Sequence, residues 1–423
     1  VGRIGQSALT AISLGAPASS LMVELSFGVA VGVNAMLSRK LGEKDSDGVS
    51  RAAGQGFLLI GVIYLICLAF GLFGVETFYR IQTDDAEIIS LGMQYTSIVT
   101  ICSFGLMIQS IVERLLSATG RTNGSMAVLL TGAITNIILD PILIFGYFGL
   151  PAMGMRGAAV ATVIGQCAAG IVGLILNITW NKEITFKAKA FLPDFQVMKE
   201  IMTIAIPTTL TYSINSILIF GMNNVLIGLS VAAPAVYVIH NRVRSFVALP
   251  VWGIRNTIIS VVAYNMGAGY TDRVRRIIKI AMTASAGIMV IGTILYETIP
   301  ALLLRIFSAT DEMLAIGIPA FRIIGITAII SGMTIMMSGV FQAMNNSSKA
   351  LIVSIVQAVT LVGSAALLAL THNTNVVWFS FPVSEIVIFL LSIIFLRGIY
   401  RKYLGSDSFS VKPLNSSASS DIM

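Results

Sequence analysis

One carboxylate stands inside an otherwise apolar stretch, Asp140 in NIILDPILIF. An ionisable group placed in hydrocarbon is costly, which makes it a candidate for function by default. Asn136 precedes it by four residues, and on a helix that spacing puts both side chains on one face. Pro141 has no amide hydrogen, so a carbonyl one turn back loses its partner and becomes a further oxygen. Carboxylate, amide oxygen and free carbonyl are hard ligands suited to Na⁺, and the same carboxylate could instead carry H⁺. A plainer reading stands beside both: Asp140 only satisfies the backbone around Pro141.

Other charges share the apolar background: Glu24 in the first half, and Arg242, Arg244, Arg255, Arg322 and Glu385 in the second. Counted from the outer face, Arg242, Arg322 and Glu385 lie about 9, 6 and 9 residues deep, so they can form an ion pair. Alternatively Glu385 contacts a substrate or carries a proton. Glu24, near mid-depth, reads either as a contact in a substrate cavity or as half of a structural pair. Glu113 adjoins Arg114 at a helix end and is expected to snorkel to the surface. The 19 methionines suit either an adaptable ligand cavity or ordinary core and lipid contact. His240 and His372 cannot by themselves make a metal site. Cys67, Cys102 and Cys167 read as small core hydrophobes.

These residues must be positioned by membrane-crossing elements. The 423 residues are 56% hydrophobic and 11% charged, with mean hydropathy +0.88, against about 25% charged residues in soluble chains. That excludes a cytosolic enzyme, a nucleic-acid binder and a secreted disulfide scaffold. Runs long enough to cross about 30 Å of hydrocarbon fall at 8–37, 52–74, 88–116, 126–148, 157–178, 201–228, 233–263, 277–299, 316–341, 350–370 and 376–396. The prediction is an all-α polytopic membrane protein of eleven spans, without the strand alternation of a barrel. Loops 38–51, 114–125, 179–200, 264–279, 342–349 and the C-terminal tail carry 19 of the 27 lysines and arginines, including Lys187 and Lys412. The other side carries Arg3, Arg80, Arg156 and Arg305. This bias places the first set, and the C-terminus, in the cytoplasm, so the net charge of +7 is an orientation signal.

The chain also repeats itself. SRKLGEKDSDGVSR (38–51) aligns with AYNMGAGYTDRVRR (263–276), setting Gly42 over Gly267 and Arg51 over Arg276 at an offset of 225. The same offset sets Arg80 over Arg305 and Gly92 over Gly317. Two lobes of the same orientation follow, and such repeats enclose a central site. The predicted organisation is an N-terminal lobe over 1–180, a cytoplasmic linker over 181–200, a C-terminal lobe over 201–402 and a disordered tail over 403–423. The 201–228 helix has its repeat partner before residue 1. The expectation is therefore two six-helix lobes, with the first helix missing from this sequence; the alternative is a true eleven-span protein with its N-terminus outside.

VGRIGQSALTAISLGAP, GVAVGVNAMLSRKLGEKD, NIILDPILIFG, MRGAAVATVIGQ, NMGAGYTDRVRR and FQAMNN together resemble, in order and spacing from residue 1 to about 402, the multidrug and toxic compound extrusion (MATE) family. The resemblance implies a monomeric two-lobe antiporter in the cell (inner) membrane. Such a protein exports organic, cationic drugs through the bilayer in exchange for Na⁺ or H⁺ by alternating access. It uses no cofactor beyond that ion and binds no nucleic acid. One branch of the family uses an Asn-x-x-x-Asp pair matching Asn136 and Asp140, with a threonine on the next helix that matches Thr162. Na⁺ at Asn136 and Asp140 is the implied ion site. The branch also uses an aspartate on the first helix, which falls in the missing segment. Another family arrangement uses acids on helices equivalent to 201–228 and 316–341. Neither stretch holds one here, and the second carries Arg322.

Three other classes compete with this reading, and a channel among them would repeat pore-lining charges or filter loops around an axis, which two asymmetrically charged halves do not suggest. An enzyme in the membrane would need a catalytic set that is absent from the sequence. A lipid-linked oligosaccharide flippase of the same wider superfamily would present a strongly basic cavity, an option that the four arginines of the second half keep open. The sign of the cavity's charge separates the two transport readings.

Overall fold

The computed structural model describes residues 4–185 and 188–404, and among these every regular element is a helix. Arg3, Lys187, Lys412 and the Ser-rich tail from 405 onward lie outside the described residues. The chain opens with α1 (Gln6–Gly42), then α2 (Ser46–Ala69), whose first turn is capped by Asp45 accepting the Gly48 amide at 2.8 Å. A π turn at Phe70–Gly74 carries α2 into α3 (Val75–Arg80). Asp85 caps α4 (Ala86–Ile101), which bends by 46° into α5 (Phe104–Ala118). Next come α6 (Thr122–Phe145) and α7 (Gly154–Trp180). The second half runs through α8 (Phe195–Ile227), α9 (Ala233–Gly267), α10 (Thr271–Thr298) and α11 (Pro300–Ile306). There α12 (Asp311–Gly325) bends by 56° into α13 (Ala328–Ala343), followed by α14 (Ser347–Ala369), α15 (Thr374–Val377) and α16 (Ser380–Ile399).

Among the described residues, 9 helical runs are long and apolar enough to cross a membrane, or up to 11 if each bent pair is one span. The protein is thus a multi-pass membrane protein. The stretches 88–116 and 316–341, expected as continuous helices, break at Cys102–Ser103 and Ile326–Thr327. Hydropathy does not register these breaks, but local hydroxyls do. Thr100 Oγ1 donates to the carbonyls of Thr96 at 2.7 Å and Ser97 at 3.2 Å, and Thr327 Oγ1 donates to that of Ile324 at 3.2 Å. Such back-bonding competes with the helix ladder and bends it.

Helix α1 packs on α8 and α9 as well as on α2, α4 and α5. Small residues in GVAVGVNA allow this. A Cβ on Gly28 would lie 2.9 Å from the Ala205 carbonyl oxygen, and one on Gly32 2.7 Å from that of Ile201, so the two backbones touch. Across to α9, Ser260 Oγ donates to Asn34 Oδ1 at 2.8 Å.

Helix α8 belongs to two cores. Its Val197, Ile201 and Ala205 pack with Val29, Val33 and Ile111, while its Leu218, Met222 and Leu226 pack with Tyr237, Trp378 and Phe381. Pro207 lies between the two sets. The segment ahead of α8 is stitched to α2 by Gln55. Its Nε2 donates to the carbonyls of Ala190 at 2.9 Å and Leu192 at 2.7 Å, and its Oε1 accepts the Asp194 amide at 3.0 Å. Outward faces expose Leu65, Ile66, Phe73, Ile137, Ile178, Phe246, Leu367 and Ile394. A girdle of that kind is stable against lipid and unstable in water.

Candidate functional site

Asn136, Asp140 and Thr162 come together where α6 and α7 meet at their backbones. A Cβ on Gly165 would sit 2.8 Å from the Gly132 carbonyl oxygen, and one on Gly157 2.4 Å from that of Leu143. That close approach brings Asn136 Nδ2 to 3.5 Å from Asp140 Oδ1 and 3.4 Å from Thr162 Oγ1. Thr162 Oγ1 itself donates to the Ala158 carbonyl at 2.9 Å. The Tyr95 hydroxyl of α4 is within hydrogen-bond reach of Thr162, with the Asp140 charge nearby. Asp140 is half-buried. The cluster thus presents one carboxylate with a hydroxyl and an amide around it, a donor set that fits a single small cation or a proton. Among the described residues no group of three or more His, Cys, Asp or Glu side chains gathers as a metal site.

The cluster stands apart from the large central cavity, of about 460 Å³, which is lined by residues from both halves. Such a volume suits a drug-sized molecule. From the first half come Glu24 and Phe27 of α1 and Arg114 of α5; from the second come Tyr212 and Asn215 of α8, Arg244, Trp252 and Arg255 of α9, Gln357 of α14 and Glu385 of α16. Glu24 therefore lines the cavity, and its Oε2 accepts from Ser213 Oγ at 2.6 Å. Arg255 is 2% exposed. Its Nη1 donates to Tyr212 Oη at 3.3 Å and its Nη2 to Gln342 Oε1 at 2.9 Å, with Trp252 stacked at 5.0 Å. Methionine is absent from the described lining; Met22, Met107, Met222 and Met336 are core residues instead.

Two expectations fail here. Glu385 pairs with neither Arg242 nor Arg322: both are exposed, neither lines the cavity, and no ion pair among the described residues joins either to Glu385. The arginine whose charge reaches Glu385 is Arg244. Depth along a helix says nothing about face, and two residues of sequence turn a helix by about 200°. The available signal was phase: Arg244 follows the buried His240 by four residues and precedes Arg255 by eleven, about three turns, so these three share the inward face. The second failure is Glu113. It and Arg114 are 5% and 4% exposed and paired at 3.0 Å, with the Ser125 hydroxyl also donating to Glu113, and no snorkelling to the surface occurs.

A multi-pass helical bundle around a cavity that both halves line is the architecture of a membrane transporter, and comparison with known proteins narrows the class. A family model described as MatE matches residues 1–142 and 207–367. The chain belongs to this family of efflux transporters and is not an enzyme. It is 26% identical over 380 residues to the multidrug export protein MepA of Staphylococcus aureus (strain MRSA252), covering 88% of this chain and 81% of the relative. It is 28% identical over 273 residues to the probable multidrug resistance protein NorM of Thermotoga maritima, covering 64% and 58% respectively. Among solved structures, a MATE protein in complex with MaL6 superposes with TM-score 0.88 at 21% identity, over 94% of this chain and 89% of that one. An outward-facing MATE family transporter does so with TM-score 0.87 at 21% identity, over 94% and 90%.

Proposed function

We propose that this protein exports organic small molecules through the central cavity by alternating access, driven by exchange for Na⁺ or H⁺ at Asn136, Asp140 and Thr162. The observation that carries the reading is the cavity itself, drug-sized and lined by both halves. Relatives named for multidrug export and for multidrug resistance support it.

A two-lobe organisation of 1–180 and 201–402 joined by the 181–200 linker is supported by element limits that recur at the offset of 225. α1 ends at Gly42 and α9 at Gly267; α4 begins at Ala86 and α12 at Asp311; α6 begins at Thr122 and α14 at Ser347. The left-handed backbone positions recur as well, Lys44 with Gly269 and Gly120 with Asn345. With each bent pair counted as one span, eleven spans result. The Lys/Arg-rich loops and the C-terminus then face the cytoplasm of the cell (inner) membrane, and the transporter works as a monomer.

The flippase reading finds less support, because three arginines and two glutamates line the cavity where a pyrophosphate would call for a strongly basic cradle. The test is efflux of a fluorescent drug from proteoliposomes under an imposed Na⁺ or pH gradient. Gradient-dependent efflux is expected; none under either gradient would overturn the reading.

A further inference from the structure

Charge within the cavity is balanced. Arg114 is neutralised by Glu113, leaving Arg244 and Arg255 against Glu24 and Glu385. Arg255 is held by neutral acceptors and rings, and Glu24 by Ser213. Arg114 Nη1 is also buried without a hydrogen-bond partner, but that charge already has its counter-ion; Arg244 and Glu385 remain as opposite charges with no counter-ion in contact. They line the central cavity together and also share two smaller recesses next to it. Yet no ion pair joins them among the described residues, and Arg244 has no hydrogen-bond partner there. Glu385 is 7% exposed; its Oε2 is buried without a partner, and the donors beside it are neutral, Gln357 Nε2 at 3.5 Å from Oε1 and the Ser331 hydroxyl.

A buried carboxylate and a half-buried guanidinium facing one space without meeting leave two charges short of solvation, to be satisfied by whatever enters. A purely cationic guest would satisfy Glu385 and be repelled by Arg244; a purely anionic one would do the reverse. A guest with both charges satisfies both, and its carboxylate can accept two parallel bonds from the planar guanidinium. Phe27, Tyr212 and Trp252 on the same walls offer faces to a flat apolar body.

We propose that Arg244 and Glu385 form a dipolar anchor that selects aromatic zwitterions as cargo, with the carboxylate on Arg244 and the ammonium on Glu385. This rests on the transport reading above and adds the substrate class. Three probes on one scaffold separate the possibilities: a coumarin-bearing amino acid, its methyl ester (cation only) and its N-acetyl derivative (anion only). Binding to the purified full chain in detergent is read by fluorescence anisotropy. The zwitterion is expected to bind at least tenfold more tightly than either derivative. Arg244→Gln should weaken the zwitterion and the N-acetyl probe about tenfold and leave the ester within twofold. Glu385→Gln should weaken the zwitterion and the ester and spare the N-acetyl probe.

Equal or preferred binding of the ester by the unmodified protein overturns the proposal, as does a uniform loss for all three probes in well-folded variants. Should a variant fail to fold, the three-probe ranking on the unmodified protein decides alone. Selective binding without gradient-driven efflux would sink the transport reading and leave the anchor standing. Efflux without zwitterion preference would do the opposite.

Discussion

Gly42 and Gly267 hold a reciprocal contact across the two halves. A Cβ on Gly42 would lie 2.0 Å from the carbonyl oxygen of Tyr264, and a Cβ on Gly267 would lie 2.1 Å from that of Arg39. Residue 39 is to residue 264 as 42 is to 267, each pair separated by 225, so the contact is related to itself by exchange of the halves, as an isologous interface is. It joins the ends of α1 and α9 that lead into Lys/Arg-rich loops.

Alanine at either glycine is incompatible with this closure, because backbone atoms cannot yield the needed space. Gly42→Ala and Gly267→Ala are each expected to lower cross-linking between cysteines introduced by Arg39→Cys and Tyr264→Cys at least fivefold, and to reduce efflux with it. Unchanged cross-linking in both variants would show that the contact does not form in the membrane.

Asp140→Asn removes a charge and keeps the size and the neighbours, Asn136 and Thr162. Gradient-driven efflux is expected to fall to the level of protein-free vesicles, with folded yield in detergent within about twofold of the parent. Transport at parental rate would return Asp140 to the plain role of satisfying the Pro141 backbone.

The pair Glu113–Arg114 is buried, so breaking it on one side is expensive. Arg114→Met leaves the carboxylate alone and should cost about 3–5 kcal/mol, read as a lowered Tm in detergent. Adding Glu113→Gln should recover much of the loss, since the amide can still accept from Ser125. A double variant less stable than Arg114→Met would contradict this account.

Outside the membrane, the Gly48 amide, ahead of a smaller contribution from Lys40, holds the Asp45 carboxyl below its ordinary value. The folded state then binds this proton less readily than the unfolded chain does. The cap's contribution is complete above the ordinary carboxylate range and is lost as pH falls through the lowered value. Asp45→Ala should cost about 0.5–1 kcal/mol near neutral pH, and this difference should vanish in acid, as measured by thermal unfolding across pH.

Much of the fold was legible because crossing hydrocarbon demands long apolar runs, and those runs are visible residue by residue. Asn136, Asp140 and Thr162 were legible as a group because i, i+4 spacing and the family motif both pointed to them, and the structure brings them within 3.5 Å. Depth along the helix does not distinguish Arg244 from Arg242; helical phase does. The bends at Cys102–Ser103 and Ile326–Thr327 lack a proline at the break, and hydroxyl back-bonding leaves no trace in hydropathy. Burial of Glu113 and Arg114 depends on which helices cover α5, which no local pattern encodes. Gln55 belongs with these: a lone amide in an apolar helix gives no sign that its partners lie in a loop some 135 residues on.

Because α8 is built into both cores, it acts mechanically as a beam clamped at its two ends. The stitching by Gln55 fixes the segment ahead of it, so any rotation of one bundle against the other in the proposed cycle loads α8 in bending. The load concentrates at Pro207, where the Thr203 carbonyl has no amide to hold it. The local stiffness of that one turn then enters the energy difference between the two end states, and a residue that touches neither cargo nor ion helps to set how evenly they are populated.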